Sequence, residues 1–338
     1  MDTVYFRSFI AVVWAIVVLA VPQAVALNDS GGSQASGATQ ESGGGGAEIS
    51  AHVEVSYSSA GGGGGSSSST STSVPIKPSC GYIPGETAEQ FEKDHGLLAN
   101  APTSGGWDSE LKIMYPNFRD HRGDSGGRWW KRYCDRDAFP DELTWAREGS
   151  KFINNNPQNM WIPSGQSPPA PYISPAWLAE VAWQAVKIPA PTVETNPKVG
   201  DRGATLVGMD TWVWATGETP TSVKATASAG GTSVTVTASS SGLQLSAPDG
   251  RASCQGFGIA WHSGMAEGSS PCTISFNRSS AHLGGSTPLT VKVAYSASYT
   301  ATDGNSGTLP AITTTSTVDL PVAEVQSLTT NGKNPRNT

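Results

Sequence analysis

Charged residues are scarce in this chain. Only 14% of its 338 residues are Asp, Glu, Lys or Arg and the formal net charge is -7, so it lacks the basic surface that neutralises phosphates or holds anionic lipid. Nucleic acid is therefore not expected as a partner. The Gly-rich runs lack the Gly-Lys-Ser/Thr ending that holds phosphates and magnesium, and no nucleotide site is expected. There are four cysteines, none in a Cys-x-x-Cys or His-containing zinc pattern, and His262 and His282 have no cysteine or carboxylate at ligand spacing. Asp249 alone would supply one of the about six to eight oxygens that calcium takes. Neither a metal nor any other cofactor is expected.

The longest apolar stretch opens the chain. Arg7 is followed by the apolar run Phe9 to Val21, then by Pro22 and the small residues Ala24-Val25-Ala26 before Leu27. A positive start, a short apolar core and a small-residue cleavage site predict a signal peptide over residues 1–26. The run falls short of the about 20 residues that span a bilayer, so contact with a membrane is expected only if this segment stays uncleaved as an anchor. Export places the cysteines in an oxidising compartment. Pairing Cys80 with Cys134 and Cys254 with Cys272 keeps each bridge within one proposed domain, and each closed loop then contributes about 3 to 4 kcal/mol.

Composition divides the remainder. Residues 27–79 are dominated by Gly, Ser and Thr, including the unbroken stretch Gly61 to Thr70, and predict a disordered tether. Within it only the alternating piece Ile49 to Val55 is able to pair as a strand. Residues 80–162 predict a small disulfide-bonded, irregular α+β unit with helices at Thr87 to His95 and Pro140 to Arg147. The second helix opens on Asp141 and Glu142, where negative charge suits a helix N-terminus. Its tryptophans, Trp107, Trp129, Trp130, Trp145 and Trp161, read as the core of a domain poor in aliphatic residues. Trp107, Trp129 and Trp130 are also the candidates for stacking against sugar rings.

Residues 163–203 combine a Pro-rich linker with a helix. Ser174 caps it, Pro175 takes the first position, and Leu178, Val181, Ala182 and Ala185 recur at helical spacing to form a docking face. From residue 204 the period changes to two. Thr232 to Ala238 and Leu289 to Tyr299 alternate clearly, with further runs at Leu206 to Trp214, Val223 to Ser228, Leu243 to Ala247, Cys272 to Phe276 and Thr313 to Val325. Seven short β-runs separated by Gly, Pro, Asp and Ser turns predict an immunoglobulin-like β-sandwich over residues 204–328, followed by a disordered tail at 329–338. The fold expected for the whole is mainly β.

Several separated strings in this half carry a resemblance. They are Leu206-Val207-Gly208 leading to Thr211-Trp212-Val213-Trp214, Cys254 with Gly256 and Gly258, Ser270-Pro271-Cys272, Gly307-Thr308-Leu309-Pro310, and Glu324-Val325-Gln326-Ser327-Leu328. In this order the chain from about Pro175 to Leu328 resembles a group of actinobacterial secreted proteins of unknown function that carry a domain similar to the polycystic-kidney-disease (PKD) repeat. The resemblance implies an extracytoplasmic, immunoglobulin-like module and supplies no catalytic residues. The Gly-Asp-Gly-Thr hallmark of that repeat is altered: Asp249-Gly250 remains, with Pro248 before it and Arg251 after it.

Two short strings invite other readings. Gly123-Asp124-Ser125-Gly126-Gly127 matches the surroundings of the nucleophile in trypsin-like proteases, but too little chain lies between Cys80 and Ser125 for a double barrel, and no buried acid is evident to orient His121. Ser125 is expected in a Gly-rich turn, with no catalytic role. Arg122-Gly123-Asp124 overlaps it and matches the integrin-binding tripeptide, a string short enough to recur by chance. Asp135, Asp137, Asp141 and Glu142 read as a solvated acidic stretch. The expectation is a secreted, cell-surface, non-enzymatic binding or scaffolding protein whose partner is an envelope protein or cell-wall glycan. The alternative is a carbohydrate-active or glycan-binding protein working through the Trp-rich unit.

Overall fold

The computed structural model describes residues 48–59, 68–99 and 106–325. The predicted signal peptide, residues 27–47 and 60–67 of the predicted tether and the predicted tail lie outside them. In chain order the N-terminal elements are β1 (Ile49–Ser59), β2 (Ser68–Ile76), β3 (Cys80–Thr87), α1 (Ala88–Ala99), α2 (Gly106–Met114), β4 (Arg128–Cys134), α3 (Glu142–Thr144), α4 (Ser150–Asn155) and β5 (Asn159–Ile162). After them come α5 (Pro175–Ala185), β6 (Thr192–Asn196), β7 (Thr205–Leu206), β8 (Asp210–Thr216), β9 (Pro220–Ala229), β10 (Thr232–Ser246) and β11 (Gly250–Cys254). The last are β12 (Cys272–Phe276), β13 (Thr287–Ala301), β14 (Ser306–Leu320) and β15 (Val322–Ala323). The protein is mainly β, as the period-two patterning predicts.

A curled six-stranded antiparallel sheet, in the order β14-β13-β10-β9-β1-β2, shares one core with a four-stranded sheet, β11-β12-β8-β6. The alternation read along β13 sets its inner face: Leu289, Val291, Val293, Tyr295, Ala297 and Tyr299 are all buried, while Lys292, Ser296 and Ser298 between them are exposed. Val234, Val236 and Ala238 of β10 lie beside them, and Val213, Ile274 and Phe276 of the smaller sheet complete the core. The two runs expected at Thr232 to Ala238 and Leu243 to Ala247 are one strand. A register shift between Ser240 and Leu243 adds a residue, so that the inward positions pass from even to odd numbers and Leu243 returns to the core.

The tether expectation gives way to a β-hairpin wherever residues 27–79 are described. β1 pairs with β9 and β2 pairs with β1. The alternating piece Ile49 to Val55 carries this departure, because Ala51, Val53 and Val55 are buried against the sheet, and the Ser/Thr run of β2 has the β-branched content to follow it. Low apolar content fails to form a core alone but suffices where an existing strand supplies a template. The linker expected at 163–203 likewise contains β6, whose residues pair with β8 from Thr192↔Thr216 to Asn196↔Trp212.

Helix α5 begins as expected. Ser174 Oγ accepts from the Trp177 amide, Pro175 fills the first turn, and Leu178, Val181 and Ala182 are buried with Ala176, Ala179 and Trp183 beside them. The helix packs across β10 and β9. Ahead of it, the small unit is built on the sheet β3-β4-β5. Thr87 and Gln90 form a reciprocal capping box at α1, with Thr87 N donating to Gln90 Oε1 at 2.9 Å and Gln90 N to Thr87 Oγ1 at 3.2 Å. Asp141 caps the second helical stretch, accepting from Thr144 N at 2.7 Å; that stretch runs from α3 through a π-helical turn, Trp145–Gly149, into α4. Buried Ser79 ties the unit to the rest: its hydroxyl donates to Ala138 O at 2.7 Å and accepts from Ser174 N at 2.8 Å.

Candidate functional site

Both predicted bridges are formed, Cys80 to Cys134 and Cys254 to Cys272, and no free cysteine remains. Each joins directly opposed residues of neighbouring strands, β3 with β4 and β11 with β12. Among the described residues no helix is long and apolar enough to cross a membrane, and no group of three or more His, Cys, Asp or Glu is placed to hold a metal ion.

Of the proposed sugar-stacking residues, Trp129 is corrected by its burial. It is 2% exposed and packs with Phe91, Leu111, Tyr115 and Phe118, edge-on to Tyr115 at 5.1 Å and to Trp161 at 5.4 Å. The small unit has so few aliphatic side chains that its largest ring must supply the core. Trp130, next along β4, is only half-buried. Trp107 belongs to α2, and its side chain lies outside the described residues. Trp161 already carries a ring against its face, because His121 stacks on it at 4.6 Å with planes 10° apart. Burial holds the His121 pKa below its usual value, against the opposing pull of Asp120 and Asp124.

The protease-like string folds as a local turn. Asp124 Oδ1 accepts from the amides of Gly126 and Gly127, both at 3.2 Å, so this carboxylate organises its own loop. Gly127 lies against the Trp161 ring, where a Cβ would come within 2.4 Å of Cζ2. Ser125 is exposed and the neighbouring imidazole, His121, is stacked on Trp161. In the overlapping tripeptide, Arg122 Nε pairs with Glu92 at 2.8 Å while Asp124 holds the turn. Ser125→Ala is accordingly expected to leave thermal stability and any binding unchanged. The unaltered protein is expected to resist a fluorophosphonate probe, and stoichiometric labelling abolished by that substitution would reverse the assignment.

Other polar groups have defined tasks. Glu86 joins α1 to the core, with His95 Nε2 at 3.3 Å from Oε2 and the Tyr115 hydroxyl donating to Oε1 at 3.4 Å. Burial, with Glu86 beside it, pushes the Tyr115 phenol up to about 12. The acidic stretch is solvated as expected, with Asp137, Asp141 and Glu142 exposed, and it is also ordered: Asp135 accepts from Asp137 N, Asp141 caps its helix and Glu142 pairs with Arg136. Hydrogen bonds from Thr144 to Asp141 hold that carboxyl below its usual pKa. Asp249 sits at φ 56 with its carboxylate 2.9 Å from His282 Nε2.

The surface best built to meet a partner is the loop 255–271, closed by Cys254–Cys272. Its base is fixed by backbone contacts: Gln255 N donates to Pro271 O at 2.8 Å, Leu243 N to Gly256 O at 2.9 Å, and Ala215 N to Phe257 O at 2.8 Å. Gly242 and Gly258 allow these approaches, since an added Cβ would stand 2.0 Å from Gly256 O and 2.1 Å from Val213 O respectively. Beyond the base, Ile259 and Trp261 are 39% and 42% exposed, and Trp261 is the most exposed indole among the described tryptophan side chains. His262 and Met265 close a turn through the His262 amide and the Met265 sulfur at 3.4 Å. Glu267 is the loop's one carboxylate. In the sequence Cys254 points to the bridge with Cys272, and Gly256 and Gly258 to the resemblance, while the signal for this loop is a Cys-bounded, Gly-rich segment holding Ile, Trp and Met.

No protein-family model matches the chain, and neither a curated protein nor a solved structure matches it.

Proposed function

We propose that this is a secreted, cell-surface binding or scaffolding protein of the bacterial envelope, non-enzymatic, with an immunoglobulin/PKD-like sandwich as its rigid body. The observation that carries this reading is the disulfide-closed loop 255–271, which holds Ile259 and Trp261 exposed on a base of fixed backbone contacts. Rigid sheets that display an apolar, aromatic-bearing loop spend little entropy in ordering it on binding, and a Trp is the residue type most able to act as an anchor. Two formed disulfides are compatible with an oxidising, extracytoplasmic setting. The resemblance to actinobacterial secreted proteins supports the same setting, and the signal peptide over residues 1–26 would deliver the chain there.

The test uses the purified protein against separated envelope-protein and cell-wall glycan fractions. Ile259→Ser with Trp261→Ser is expected to weaken retention by at least about tenfold, with unchanged thermal stability because both side chains are exposed. Equal retention of variant and wild type by both fractions would remove the loop from the function. Retention by glycan alone, lost in the variant, would assign Trp261 to sugar stacking in place of the Trp-rich unit.

A further inference from the structure

The two edges of the six-stranded sheet are treated differently. On β14 the Pro310 carbonyl accepts from the Trp183 indole at 2.8 Å, Ser316 Oγ donates to Pro191 O at 2.6 Å, and Asp319 places a charge near the strand's end. The opposite edge, β2, reads Ser68-Ser69-Thr70-Ser71-Thr72-Ser73-Val74-Pro75-Ile76, without a single charged residue, and Ser69 to Ser73 are all exposed. Sheet edges left unpaired present a row of free N–H and C=O groups, and proteins ordinarily guard them with lysines, bulges or covering elements. Among the described residues β2 has only Pro75, near its end, and Lys77 just after it.

We infer that β2 is a homotypic interface, pairing antiparallel with β2 of a second copy of this chain to continue the sheet across a two-fold axis. An antiparallel strand edge is self-complementary under such an axis, so a second copy is the partner certain to offer a matching row of donors and acceptors. Charge supports the same occupant. With a formal net charge of -7 two copies repel each other, and an uncharged edge is where they approach at least cost. Centred on Thr72, the pairing sets Thr70 opposite Val74 of the copy and Ser71 opposite Ser73, with no like charges facing, which suits cross-strand contacts.

The inner side of this edge is prepared for company. Thr70, Thr72 and Val74 line a groove of 780 Å³ with Val55, Tyr57 and Ile188. Tyr57 is held there by donating to Lys187 O at 2.8 Å. Pairing the edges would join the grooves of the two copies into one trough and remove apolar surface from water on both sides. This association involves none of the loop residues 255–271, so it stands or falls apart from the binding assignment.

Sedimentation velocity of the purified protein over a range from low micromolar to several hundred micromolar tests it. The expected result is a concentration-dependent monomer–dimer equilibrium. Thr72→Lys, which sets two ammonium groups face to face at the axis, is expected to raise the dissociation constant by at least about tenfold, with thermal denaturation confirming that this exposed position leaves the fold intact. Thr72→Cys, the only free thiol in its chain, is expected to give a covalent dimer on mild oxidation. A monomer at every concentration overturns the inference, as does a dimer indifferent to Thr72→Lys or one in which Thr72→Cys fails to cross-link. Binding of a foreign extended peptide at β2 by a chain that remains monomeric would assign the edge to another partner and overturn it equally.

Discussion

Gly242→Ala is expected to lower the unfolding free energy by about 4 kcal/mol and the melting temperature by about 10 °C. Gly242 has φ 134, a conformation that L side chains rarely adopt, and the added Cβ would meet Gly256 O at 2.0 Å, Gly256 C at 2.3 Å and Gly256 Cα at 2.5 Å. All three are backbone atoms, so no side chain can rotate away. Relief requires moving either the bulge in β10 or the base of the loop 255–271, which breaks the bond from Leu243 N to Gly256 O. Gly231→Ala is the control: it also has positive φ, 84, yet nothing lies within 4 Å of its added Cβ, so backbone strain alone remains at about 1 kcal/mol. Chemical denaturation of both variants separates close approach from strain, and a Gly242→Ala variant no less stable than Gly231→Ala would show that the loop base is not fixed as described.

Period-two alternation made the central strands legible. In β13 every second side chain from Leu289 to Tyr299 is apolar and every one of them is buried, because a strand with one covered face has no other way to divide its residues. The start of α5 was legible for a comparable reason: Ser174 and Pro175 specify a helix N-terminus locally, without help from the rest of the chain. β1 and β2 were not. The hairpin is held by the pairing of β1 with β9, which joins residues as far apart as His52 and Ser228 and which no window of local composition contains. The helix α2 was missed as well, and its sequence, Gly106-Trp107-Asp108-Ser109 onward, offers weak helix formers in the first turn.

The candidate site was less legible than the fold. Sequence pointed to tryptophans by their number in the small unit, but ring count does not distinguish a core from a platform, and Trp129 is enclosed by Phe91, Tyr115 and Phe118. Trp261 carried no such emphasis, being alone in its loop. What marks it is the join of two facts on different levels, the residue type and the bridge that forces the loop outward between β11 and β12. Gly242 shows the same limit from the other side. Its need for glycine arises from the approach of Gly256, so nothing in the string Ser240-Ser241-Gly242-Leu243 announces it.

Removing the bridge Cys80–Cys134 by changing both cysteines to serine is expected to cost about 4 kcal/mol, against about 3 kcal/mol for Cys254–Cys272, because loop-closure entropy grows with the length enclosed. The separations are 54 and 18 residues. The larger loss also has a structural side. Cys80 is fully buried and its backbone exchanges two hydrogen bonds with Tyr172, Cys80 N to Tyr172 O at 3.1 Å and Tyr172 N to Cys80 O at 2.8 Å, so β3 is the element through which the small unit meets the chain leading into α5. With the bridge gone, a serine hydroxyl occupies that buried place without a sulfur partner, and β3 and β4 lose the covalent tie at the end where Ser79 also bonds to Ala138 and Ser174. Hydrogen exchange should therefore rise first in β3, β4 and β5 and spread to the N-terminal turn of α5, while the centre of β10 and β13, buried in a separate cluster, keeps its protection until global unfolding. Uniform loss of protection across both sheets would contradict this order. Peptide mapping of the unaltered protein under non-reducing conditions fixes the premise: a fragment joining Cys134 to Cys254 would contradict both bridges at once.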